Sequence, residues 1–266
     1  LRIMLIGDIC GRSGRQVLAR RLPGIVLENR VDFVVANAEN AAGGIGLTPD
    51  IADEILSYGV HVLTSGNHIW KKREIYSYLE EQRLLLRPCN YPPGAPGRGW
   101  GIFDLPGRPR VAVINVQGRV FMSPVDCPFR AVEAALSEIG DSARIHIVDI
   151  HAEATSEKAA MGWFLDGRVS AVLGTHTHVQ TADERILPGG TGYITDVGMT
   201  GSLNSVLGMK KDIALRRFLT GLPERFEPAR KHPAVMGVVV EVDPQTGRCT
   251  EVTRFRVPEE LPETPS

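Results

Sequence analysis

Val169-Ser170-Ala171-Val172-Leu173-Gly174 runs directly into Thr175-His176-Thr177-His178. The first six residues are short, uncharged and rich in β-branched side chains, which reads as a strand buried on both faces. The next four deliver two hydroxyls and two imidazoles where that strand stops. The same arrangement recurs along the chain: residues 2–7 lead to Asp8, 31–38 to Glu39 and Asn40, 60–66 to Asn67 and His68, and 144–150 to His151. Residues 111–116 form another such run. Between them, 14–29, 49–58, 71–82 and 128–139 show helical spacing of apolar residues, and Thr48-Pro49-Asp50 sets a hydroxyl cap and a first-turn proline. Alternating strands and helices predict an α/β layered fold. In such sheets ligands bind at the C-terminal strand ends, so five strands are expected to bring their polar residues to one rim.

Composition is consistent with that frame. Of 266 residues, 43% are apolar and 23% charged, which supplies a core and excludes a disordered, collagen-like or coiled-coil chain. Thirty Lys and Arg against 31 Asp and Glu leave a net charge of -1, so strong nucleic-acid or membrane binding is not expected. Cys10, Cys89, Cys127 and Cys249 lie far apart without a CxxC, as expected for reduced thiols in a cytoplasmic protein. Residues 2–6 are too short for a signal peptide or membrane span, and Leu1 stands where an initiator Met is expected, implying an unusual start or a lost residue. One domain is expected over 1–257, with a frayed Pro- and Glu-rich tail over 258–266. Residues 235–242 and 250–257 read as a hairpin through Asp243-Pro244-Gln245-Thr246-Gly247. The 28 Gly and 18 Pro imply long shaped loops. One of these, 88–109, leads into a hairpin of 100–105 with 110–116 and is either a lid over the site or a surface connector.

The rim collects Asp8, Glu39, Asn40, Asn67, His68, His151, His176 and His178. Singly each has an ordinary role: Asp8 can cap a helix, Asn67 can sit in a turn, and His151 can be a hydrogen-bonded core residue. A shared metal site explains all of them at once. His176 and His178, two apart on an extended segment, point the same way and reach one ion or two neighbouring ions. Oxygen and imidazole donors without a thiolate set suit Mn, Fe or Zn. The donors exceed the need of one ion, and Glu39 can bridge two. Two ions roughly 3.5–4 Å apart would clamp a phosphoryl group and hold a hydroxide for in-line attack. His68, beside Asn67, is placed to protonate the leaving alkoxide. Glu153 and Asp196 are candidates to orient the ligand imidazoles, and Arg119 reads as a surface residue.

Gly7-Asp8, Gly66-Asn67-His68, His151 and Gly174-Thr175-His176-Thr177-His178 resemble, in order and spacing, the calcineurin-like metallophosphoesterases. Asn37-Ala38-Glu39-Asn40, Ser65-Gly66-Asn67-His68-Ile69-Trp70, His151-Ala152-Glu153-Ala154-Thr155-Ser156-Glu157-Lys158 and Thr195-Asp196-Val197-Gly198-Met199-Thr200-Gly201 are similar to motifs of the bacterial YmdB-like phosphodiesterases. The likeness extends to about Val257. It implies a four-layer α/β/β/α sandwich, a dinuclear iron or manganese site and hydrolysis of phosphodiesters, with 2′,3′-cyclic nucleotides as the family's substrates. It also implies self-association and a link to gene expression and biofilm. By the same resemblance, Asp8, Glu39, Asn40 and His178 would hold one ion. Glu39, Asn67, His151 and His176 would hold the other, and His68 would be the proton donor. Two positions depart from the general superfamily pattern. Cys10 stands where an imidazole is usual, and Ile69 stands where an acid normally follows the Asn-His pair, so the carboxylate that orients His68 is not identified. Two other readings stay open. One is a phosphomonoesterase on the same ion pair. The other is a non-catalytic regulatory protein with a structural metal, against which the donor surplus and His68 both speak.

Overall fold

A computed structural model describes residues 1–259. The first half of the chain comprises β1 (Arg2–Ile6), β2 (Asp8–Ile9), α1 (Gly11–Glu28), β3 (Phe33–Asn37), α2 (Pro49–Ser57), β4 (Val62–Thr64), α3 (Ile75–Glu81), β5 (Trp100–Phe103), β6 (Val111–Gln117) and α4 (Pro128–Ile139). There follow β7 (Ile145–His151), α5 (Thr155–Leu165), β8 (Ala171–Thr175), β9 (Arg185–Ile186), β10 (Gly192–Ile194), β11 (Met199–Ser202), α6 (Lys211–Thr220), β12 (Pro233–Val242) and β13 (Cys249–Pro258).

Strand β1 shows how the layers arise. Alternate side chains point to opposite faces, and both faces of β1 are apolar: Met4 and Ile6 join a cluster with Val17, Leu18, Leu22 and Ile55 of the helices. Ile3 and Leu5 join a second cluster with Val113, Ile147 and Leu173 of the other sheet. Strand β7 divides the same way, its Val148 and Ile150 packing with Val132, Met161 and Leu165. Each fully buried Val, Leu or Ile contributes roughly 1.5–3 kcal/mol. Three clusters separate four layers: helices, sheet, sheet, helices. The expected α/β/β/α sandwich is what the chain forms.

The first sheet runs β2-β11-β12-β1-β3-β4, with β13 on the other side of β12. The second runs β5-β6-β7-β8-β10-β9. Strands β1, β3 and β4 are mutually parallel, as are β6, β7, β8 and β10. The rim expected from one open sheet is therefore shared between two facing sheets. At that rim the inter-sheet face changes from apolar to polar, and Asn37, Thr64, Asn115, Gln117, Asp149, His151 and Thr175 are all buried there.

Other expectations are corrected locally. Helix α3 is shorter than 71–82, because Ile69–Lys71 forms a separate 3-10 turn that follows His68. The segment from 88 is anchored to β6 where it begins: Cys89 N–H donates to Asn115 O at 2.8 Å, and Asn90 Nδ2 donates to Gln117 O at 2.7 Å. Pro258 closes β13 and the Glu259 N–H donates to Pro233 O at 2.8 Å, so these two residues, expected in a frayed tail, are held by the sheet; residues 260–266 of that expected tail lie outside the described residues. Among the described residues no helix is long and apolar enough to cross a membrane.

Candidate metal centre

The structure brings all eight rim residues together. Glu39 is fully buried at their centre. Its Oε1 lies 3.1 Å from His151 Nε2, 3.2 Å from His68 Nδ1 and 3.3 Å from Asn40 Nδ2. His151 Nε2 is in turn 3.2 Å from Asn67 Oδ1 and 3.0 Å from His176 Nδ1. On the other side, Asp8 Oδ1 lies 3.6 Å from His178 Nε2 and 3.5 Å from Asn40 Nδ2. Asp8 is no helix cap. Helix α1 starts after Cys10, and Asp8 Oδ2 accepts the His176 N–H at 3.1 Å.

The tautomers follow from the outer partners. Thr175 Oγ1 donates to Asp149 Oδ1 at 2.7 Å and so accepts the His151 Nδ1 hydrogen at 2.9 Å. In the neutral ring, His151 Nε2 then carries a lone pair into the site. His176 Nε2 faces Glu153 Oε2 at 3.1 Å, as expected for that acid, which leaves Nδ1 as its inward lone pair. His178 Nδ1 donates to Leu207 O at 3.0 Å, which turns Nε2 inward. Such outer hydrogen bonds are how a protein aims metal-ligating imidazoles.

These donors fit a cation. Four atoms that can each offer a lone pair to an ion (Glu39 Oε1, Asn67 Oδ1, His176 Nδ1 and, once its proton is displaced, His151 Nε2) converge. Glu39, His151 and His176 form a group with ligand atoms within 4.8 Å of one another. The same convergence is felt by protons. Burial opposes charge on His151, yet Glu39, Asp8 and Asp149 outweigh it and push its pKa up to about 9. Burial, then the His151 charge, drives His176 down to about 3. Glu39 stays well below the usual carboxylate range although burial opposes ionisation, because His151 and His68 surround it. In the second set, the Asn40 amide Nδ2 faces Asp8, Glu39 and His178 Nε2 at 3.3–3.5 Å, where a cation would also be attracted. Amide ends are assigned from such networks, so reversing Asn40 would present its carbonyl oxygen to an ion.

His68 stands apart from the donor sets. Its backbone N–H donates to Glu39 Oε2 at 2.8 Å and its Nδ1 lies 2.7 Å from Asn40 Oδ1. Glu39 is thus the carboxylate missing after Ile69. The Cys10 Sγ packs against Gly208, and burial, then the Asp8 charge, pushes its thiol up to about 12. Arg119 is exposed.

Two expectations need correction. His176 and His178 do not share an extended segment: their φ values are 100° and 64°, so the turn sends one imidazole to each donor set. Asp196 touches neither imidazole but binds Thr177 between them. Sequence reasoning missed Asp149, although alternation from Ile145 and Ile147 places it on the His151 face of an otherwise apolar strand. It also missed the Leu207 carbonyl, for which no sequence signal exists.

Two facing sheets with this rim define the calcineurin-like phosphoesterase fold. That fold is also seen in YfkN from Bacillus subtilis, at TM-score 0.57 and 11% identity over 97% of this chain and 90% of that one. Residues 4–255 match the model of the YmdB-like protein family, and the chain belongs to that family. It is 44% identical to a 2′,3′-cyclic-nucleotide 2′-phosphodiesterase of Bacillus subtilis, over 97% of each chain. A crystal structure described as a novel phosphatase from Mycoplasma pneumoniae superposes at TM-score 0.92 with 32% identity, covering 98% of this chain and 95% of that one. The class implies divalent metal ions as cofactors.

Proposed function

We propose that residues 1–257 form one metallophosphoesterase domain that hydrolyses 2′,3′-cyclic nucleotides or related small phosphodiesters at a pair of iron or manganese ions. Asp8, Glu39, Asn40 and His178 hold one ion; Glu39, Asn67, His151 and His176 hold the other. The observation that carries this reading is Glu39: one buried carboxylate within reach of both donor sets, each completed by one imidazole of the His176–His178 turn. When bound, the ions neutralise charge on the phosphoryl oxygens and lower the pKa of water. His68 supplies the proton. Asn40 and Glu39 hold its Nδ1 edge, and Nε2, which has no hydrogen-bond partner among the described residues, carries a proton to the leaving oxygen.

The purified protein is expected to cleave bis-p-nitrophenyl phosphate and a 2′,3′-cyclic nucleotide, to lose both activities on dialysis against a chelator, and to regain them with Mn or Fe. No hydrolysis with Mn, Fe, Zn or Mg would overturn the reading. The outer hydrogen bonds give a second test. Thr175→Val keeps the volume but removes the acceptor of the His151 Nδ1 hydrogen, and is expected to weaken metal binding about 10–100-fold. Titration against a chromophoric chelator would measure it, and an unchanged affinity would show that the tautomer is set elsewhere.

A further inference from the structure

Lys158 and Asp196 are both fully buried and form an ion pair at 2.7 Å, beneath the turn that carries His176 and His178. We infer that this pair is a positioning device: it clamps the strained His176-Thr177-His178 turn so that the two imidazoles reach separate ions rather than the same one. The inference rests on the ligand assignment proposed above.

Every polar contact of the pair leads to the turn or its frame. Asp196 Oδ2 accepts the Thr177 N–H at 3.0 Å and the Thr177 hydroxyl at 2.7 Å, as well as the Lys158 ammonium. Asp196 Oδ1 accepts the Gly198 N–H at 2.8 Å. The backbone on either side of Asp196 is tied to both ends of the turn: Val197 N–H donates to Gly174 O at 2.9 Å, and Thr181 N–H to Asp196 O at 3.0 Å. Gly174 makes this approach possible, since a Cβ there would lie 1.8 Å from Thr195 O and 3.0 Å from Lys158 Cδ.

A clamp is needed because His176 and His178 both have positive φ, a conformation that L side chains adopt only when their surroundings impose it. Relaxed to an extended strand, both imidazoles would project from one face. Thr177, the residue between them, is the one Asp196 holds by both backbone and hydroxyl. Stability alone does not explain the pair. Exchanging a buried ion pair for apolar or neutral groups of similar volume is often neutral or stabilising, because desolvation offsets the attraction. A purely structural pair and a positioning pair therefore predict different outcomes.

The test uses the full chain, loaded with Mn, in three variants. Lys158→Met with Asp196→Asn removes both charges at similar volume, Thr177→Val removes only the hydroxyl, and Thr177→Ser keeps it. Mn affinity is expected to fall about 10–100-fold in the first two and to stay at the wild-type value in Thr177→Ser, in line with other outer-sphere changes. The electron paramagnetic resonance pattern of a coupled Mn pair should give way to that of isolated ions in the first two. Metal-free melting temperatures should match wild type. If the double variant fails to fold, Thr177→Val decides alone. Wild-type affinity and a coupled signal in Thr177→Val or in a folded double variant would overturn the inference. So would affinity losses that only track a lowered metal-free melting temperature. A wild-type protein that holds no Mn pair would instead overturn the ligand assignment, a separate and distinguishable result.

Discussion

His68→Ala is expected to lower turnover on a 2′,3′-cyclic nucleotide by about 10²–10⁴-fold, the usual contribution of a positioned general acid, with metal content as in wild type. Retention of metal follows from where His68 makes its contacts. Its shortest bond to the bridging carboxylate, 2.8 Å to Glu39 Oε2, comes from the backbone N–H, which alanine keeps. Only the ring is lost, and with it the Nδ1 contacts of 2.7 Å to Asn40 Oδ1 and 3.2 Å to Glu39 Oε1. The size of the loss should depend on the leaving group. A ribose alkoxide needs a proton as the bond breaks, whereas p-nitrophenolate is stable without one. The fall on bis-p-nitrophenyl phosphate should therefore be much smaller than on the cyclic nucleotide. Initial rates on both substrates, with elemental analysis of the same preparations, check each part. Equal losses on the two esters would remove His68 from the proton-donor role, and loss of metal would make it a ligand.

The runs that become β1, β3, β6, β7 and β8 were legible because they are buried on both faces and mostly apolar, with Arg2 at the start of β1 and Asp149 within β7 as their charged residues. Their polar termini were legible for the same reason: Asp8, Glu39 and His151 interrupt apolar strands that offer them no other partner. Less could be read where burial is one-sided or absent. Helix α6 exposes Leu215, Phe218 and Leu219, so its apolar spacing does not mark a face turned to the core. Strands β10 (Gly192-Tyr193-Ile194) and β11 (Met199-Thr200-Gly201-Ser202) are three and four residues long and too short to show a period; pairing with β8 and β9, and with β2 and β12, defines them. The split of the two histidines was hidden as well. It depends on backbone dihedrals imposed by Asp196 and Lys158, which lie 20 and 18 residues from His176, and spacing alone assigned both imidazoles to one face. Likewise the carboxylate beside His68 was sought next to it in sequence, but Glu39 arrives from another strand.

Gly66→Ala is expected to disable the centre more broadly than loss of any one donor. A Cβ on Gly66 would lie 2.0 Å from His151 Cδ2 and 2.2 Å from Nε2, the nitrogen that faces Glu39. The ring cannot yield, being fully buried and held through Nδ1 by Thr175. The remaining movement is in the backbone of 66–68, which carries Asn67 and His68. Overpacking of this kind costs about 1–3 kcal/mol of stability. A shift of about 1 Å in catalytic groups costs about 10²-fold in rate, even before any metal is lost. Turnover should therefore fall at least 10²-fold, with less metal bound and a lower melting temperature. Gly24→Ala is the matching control: in helix α1, with no atom within 4 Å of the new Cβ, it should leave activity unchanged. It should also stabilise the fold by about 0.4–1 kcal/mol. Wild-type metal content and turnover in Gly66→Ala would mean that the rim deforms freely, and a rim that soft could not hold Glu39 between two donor sets.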